Sequence, residues 1–124
     1  MSQGLKTTFL IHAIVALVFG IVFYVIPGTF LDWVSWKAFD GNISRAFAAA
    51  LLALAVGSWF GYRAASWQEV RIVVQMETVF TVLGAVAGLY GFFVKSAPAI
   101  IWVAIVVFVA FAAAWIYFYS RAKA

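Results

Sequence analysis

Two ionisable side chains stand inside long apolar runs: His12, in the run that follows Lys6, and Glu77, in the run that follows Arg71. A charge in hydrocarbon costs several kcal/mol unless it is neutralised, paired or wetted, so these residues are where chemistry would be sought first. Each lies six positions beyond its basic neighbour, which at about 1.5 Å per helical residue puts both roughly 9 Å below the interface. At matching depth an imidazole and a carboxyl can meet. Two roles follow for such a pair. It can handle a proton or cation, or it can form a structural hydrogen bond that joins helices, worth about 1 kcal/mol in lipid. Thr8 and Thr81 are candidate partners within the same stripes, and Gln75 and Arg71, with Thr78, could form a second polar group nearer the interface.

Other chemistries find no residues to carry them. The chain has one histidine and no cysteine, so one chain offers too few ligands for a zinc site, at most one axial ligand to a haem, and no thiolate for an iron–sulfur cluster or a disulfide relay. No nucleophile stands beside a base, and no glycine-rich phosphate loop follows a strand. The chain is therefore expected to be non-catalytic and to need no cofactor, while a lipid, quinone or pigment held between helices along the interfacial aromatics stays open. Its formal net charge of +4 comes from eight Lys and Arg placed almost entirely at the ends of apolar runs. That placement suits headgroups and topology signals rather than a nucleic-acid partner.

The elements that must position His12 and Glu77 are membrane spans. Of 124 residues, 68% are hydrophobic and 10% charged, far from the roughly 45–50% apolar and about 25% charged composition of soluble domains; mean hydropathy is +1.11. Four runs reach the approximately 20 residues a bilayer requires, predicted at about 7–26, 45–62, 70–94 and 99–119 of a single domain covering 1–124. Pro27 and Gly28 end the first, Asp40, Asn42 and Ser44 are available to cap the second, and Pro98 sits where a fourth helix would start. Short connections make consecutive spans antiparallel neighbours, and the fold expected is an all-α four-helix transmembrane bundle. The longest connection, Phe30 to Phe39, is mostly apolar and reads as a short interfacial segment or a cap over the bundle end.

In lipid, helices associate through small residues that let backbones approach and through a few polar side chains. The first run carries Thr8, His12, Ala16 and Gly20 on one stripe, the second Ala49, Ala53, Gly57 and Gly61, and the third Glu77, Thr81, Gly84, Gly88 and Gly91. The expectation is a tight seam among the first three spans, with the fourth, whose small residues are Ala110 and Ala114, turned more to lipid or a partner. Tyr24, Trp33, Trp36, Tyr90 and Trp102 at one level, and Trp59, Tyr62, Trp67, Trp115, Tyr117 and Tyr119 at the other, read as interfacial belts. Lys6, Arg63, Arg71, Arg121 and Lys123 against Lys37, Arg45 and Lys95 favour cytoplasmic termini. Two functions fit: an accessory or structural subunit of a membrane complex, or a homo-oligomer, acting through contact; and a small oligomeric transporter or channel with Glu77 and His12 in an ion or proton path.

Overall fold

A computed structural model describes residues 1–37 and 40–122; Ala38 and Phe39 of the expected interfacial segment, and Lys123 of the charge count, lie outside the described residues. The chain forms α1 (Gln3–Val25), a short α2 (Pro27–Trp33), α3 (Gly41–Arg63), α4 (Trp67–Lys95) and α5 (Ile101–Arg121). All but α2 are long and apolar enough to cross a membrane, and the protein is a multi-pass integral membrane protein built as a four-helix bundle. The short helix α2 follows the first span directly, with Pro27 in its first turn, where a missing N–H costs nothing.

Caps explain why three spans begin three or four residues earlier than hydropathy predicts. Ser2 accepts the Leu5 N–H at 3.2 Å, and Asp40 accepts the Ile43 N–H at 2.9 Å, each relieving an orphan donor of the first turn. Ahead of α4, the Glu69 carboxylate takes the Ser66 hydroxyl at 2.8 Å and the Ala65 N–H at 3.4 Å, tying the preceding loop onto the helix start. At the far end of α4, Ser96 adopts the left-handed conformation (φ 53°) and the Ala97 N–H reaches back to the Gly91 carbonyl at 3.0 Å, which stops the helix. Tight three-residue turns over Pro98, Ala99 and Ile100 then lead into α5, so its regular helix starts two residues later than predicted.

The bundle is two hairpin-like pairs. α1 packs along α3 and α4 along α5, while the pairs touch more sparingly, α3 on α4 and α1 on α5. Within pairs, bulk fits against glycine. A Cβ on Gly20 would stand 2.8 Å from Leu52, and one on Gly61 2.7 Å from Phe9; on α4, a Cβ at Gly84 would stand 2.6 Å from Phe108 and one at Gly88 2.7 Å from Ile105. Gly91 repeats the arrangement more loosely beneath Ile101.

These contacts correct two expectations. The fourth span is not the least committed: Ile101, Ile105, Ala112 and Trp115 of α5 are buried, because the α4 glycines are notches for its large side chains and not part of a seam among the first three spans. On α3 the buried stripe is Ala48, Leu51, Ala55, Ser58 and Gly61, whereas Ala49 and Ala53 are exposed and Gly57 is half-buried. Gly20 of α1 makes room for Leu52 of α3, and Gly61 of α3 for Phe9 of α1, so the packed stripe of α3 is turned about one residue from the one its small residues suggest.

Candidate functional site

His12 and Glu77 meet. His12 Nε2 lies 3.3 Å from Glu77 Oε2, and a third residue completes the group: the Ser58 hydroxyl donates to Glu77 Oε1 at 3.0 Å and stands 2.8 Å from His12 Nδ1. The three come from α1, α3 and α4, so the trio spans both helical pairs. All are sealed from the surroundings, with relative exposures of 4% for His12 and 0% for Ser58 and Glu77.

The hydrogen-bond inventory constrains the protons. A hydroxyl has one hydrogen. With that hydrogen on Glu77 Oε1, the contact at Nδ1 requires an Nδ1–H donating to Ser58 Oγ. One further proton then belongs between Nε2 and Oε2, and it gives either imidazolium with carboxylate or neutral imidazole with neutral carboxyl. Both carry zero net charge, the condition for a buried group in a low dielectric. At 3.3 Å the Nε2–Oε2 approach is close, but its geometry is not that of an aligned hydrogen bond, and neither Oε2 nor the buried indole Nε1 of Trp115 has another hydrogen-bond partner among the described residues.

Aromatic rings close the site. Phe111 presents its edge to His12 with centroids 4.7 Å apart and planes at 88°, Trp115 does so at 5.7 Å and 74°, and Phe9 packs on Trp115 at 4.9 Å. Phe9, Trp115, Val70 and Val74 belong to one buried cluster at the bundle end that carries both termini. Trp115 is wholly buried, a correction to its place in the interfacial belt: it follows Ile101, Ile105, Phe108 and Ala112 at steps of three and four on the inner stripe of α5.

The remaining polar candidates do not join the trio. The Thr8 hydroxyl donates to the Gly4 carbonyl at 3.0 Å, and the Thr81 hydroxyl to the Glu77 carbonyl at 2.7 Å, both along their own helices. Gln75 donates to the Tyr119 hydroxyl at 3.1 Å, tying α4 to α5, and Arg71 is exposed. Among the described residues no group of three or more His, Cys, Asp or Glu gathers to hold a metal.

No family model, curated protein or solved structure matches the chain. The functional reading therefore rests on the trio and its surroundings. Sequence reasoning missed Ser58, although a signal existed. It is the only hydroxyl-bearing residue other than tyrosine in the apolar run from 45 to 62, and it stands five positions before Arg63, about 7.5 Å deep at 1.5 Å per residue and close to the depth of His12 and Glu77.

Proposed function

We propose that the protein is a small non-catalytic membrane component that acts through contact, as an accessory subunit of a larger membrane complex or as a homo-oligomer, and that the His12–Ser58–Glu77 trio is the lock that holds its two helical pairs in one arrangement. The observation that supports this reading is the burial of all three members of the trio, with Phe111 and Trp115 packed on His12. The Ser58 hydroxyl is already shared between two partners and is wholly buried, which suits a structural hydrogen bond better than a nucleophile. Interhelical polar contacts of this kind contribute about 0.6 to 1.7 kcal/mol in membrane proteins, enough to select one packing of two weakly touching pairs.

Purification in mild detergent with the stoichiometry of co-purifying chains measured is the test. Stable partner subunits or a symmetric oligomer support the contact role, and a chain that stays single in native membranes as well as in detergent refutes it. A second reading, a small oligomeric transporter or channel, is favoured by one feature: a buried histidine–carboxyl contact bridges the two pairs at their thin seam, where a proton could be coupled to their relative movement. His12→Ala and Glu77→Gln, examined separately in proteoliposomes, discriminate. Lost assembly or stability supports the lock, and intact assembly with lost proton or cation flux supports transport.

A further inference from the structure

The sparing contact between α3 and α4 leaves an open groove of about 430 Å³ on the side of the bundle, lined by Gly57, Phe60, Val70 and Val73 together with the charged Arg63 and Glu69. It is open at Gly57, which has no side chain: a Cβ there would meet only Val73, at 3.8 Å. Beyond it the exposed Ala49 and Ala53 continue the same stripe along α3, and from Ala49 to Arg63 the stripe covers about 21 Å at 1.5 Å per residue, over half of a roughly 30 Å hydrocarbon core. Arg63 ends one span and Glu69 lies in the first turn of the next, which puts both at headgroup level.

We infer that this groove is a binding site for one phospholipid with a primary-ammonium zwitterionic headgroup, of the phosphatidylethanolamine type: an acyl chain along Ala53, Gly57 and Val73, the phosphate on Arg63 and the ammonium on Glu69. Charge complementarity carries the choice of occupant. A cation and an anion line one mostly apolar groove without closing on each other, since no ion pair joins Arg63 to Glu69. A guanidinium forks onto phosphate oxygens. The Glu69 carboxylate has about four acceptor sites, of which Ser66 and Ala65 occupy two, leaving room for an ammonium with protons to donate. A trimethylammonium headgroup has no such protons, and a glycerol headgroup has no positive charge for Glu69. A second copy packed about a two-fold axis could also complement the two charges, and the copy-to-copy crosslink below separates that occupant from lipid.

The experiment is native mass spectrometry of the protein released from nanodiscs of equimolar phosphatidylethanolamine, phosphatidylcholine and phosphatidylglycerol. The expected result is one retained phospholipid, with phosphatidylethanolamine enriched several-fold over the other two. Glu69→Gln, whose amide oxygen can still accept from the Ser66 hydroxyl, removes that preference while phospholipid is still retained. Arg63→Gln lowers retention of all three, and Arg71→Gln, an exposed arginine outside the groove, changes nothing. Equal retention of the three lipids, a preference that survives Glu69→Gln, or a copy-to-copy disulfide formed by Ala53→Cys with no lipid retained would each overturn the assignment.

Discussion

Along α4 and α5, bulk meets glycine: Phe108 over Gly84, Ile105 over Gly88 and Ile101 over Gly91, an apolar seam whose strength lies in close backbone approach. Between the two helical pairs the backbones keep apart, and the joint sets the His12–Ser58–Glu77 trio beside a buried apolar cluster of Leu5, Phe9, Val70, Val74 and Trp115. The difference matters because lipid tails are as apolar as leucine. A seam between spans must then be specified either by shape, which tolerates no added atom, or by polar groups, which tolerate no lost partner. The first device fixes a hairpin; the second fixes how hairpins sit together, and only the second depends on protonation.

The comparison is broken most severely at Trp115. Trp115→Ala removes the ring that packs on Phe9 and His12, and by the general cost of truncating a buried aromatic it should destabilise by about 3–5 kcal/mol. Thermal unfolding in mild detergent, followed by circular dichroism, measures it. A loss below about 1 kcal/mol, the scale of a single polar contact in lipid, would show that the joint between pairs does not depend on this buried ring. Within the second pair, Gly84→Leu places atoms where Phe108 already stands and should cost about 1–3 kcal/mol by overpacking. Because the lesion is inside the pair, the contact between His12 and Glu77 should survive it, and the imidazole proton resonances by NMR should stay as in the parent. A changed His12 environment would mean that the two seams are not separable.

How much of this was legible in the sequence follows the same division. Spans, short loops and the meeting of His12 with Glu77 could be read because hydropathy and depth are one-dimensional quantities, counted from Lys6 and Arg71. Helix rotation could not be read as well. One residue of difference turns a helix by roughly 100°, and the choice between Ala49–Ala53 and Ala48–Leu51–Ala55 as the packed stripe of α3 depends on the shape α1 presents. The glycines of α4 were recognisable as a packing face, but not as α5's, because a notch does not name the knob that fills it. Ser58 is passed over and Trp115 misassigned for related reasons: a lone serine in an apolar run resembles a helix-backbone contact, and a tryptophan near a span end resembles an anchor, until the opposite helix is in place.

The smallest expected effect sharpens the comparison most. Ser58→Ala removes one hydroxyl that serves both His12 Nδ1 and Glu77 Oε1, and it should cost about 1 kcal/mol, within the range of interhelical polar contacts in membranes. The informative quantity is coupling. Measured in a double-mutant cycle, Ser58→Ala and Glu77→Gln act on one hydrogen-bonded group and should be non-additive by at least about 0.5 kcal/mol. Ser58→Ala and Gly84→Leu act on different seams. Gly84 stands seven residues beyond Glu77 on α4, about 10.5 Å along the helix, so that pair should add to within about 0.3–0.5 kcal/mol. The opposite pattern, additivity inside the trio and coupling across the seams, would mean that α4 transmits strain from its glycine face to Glu77, and the polar joint would then be an extension of the apolar one.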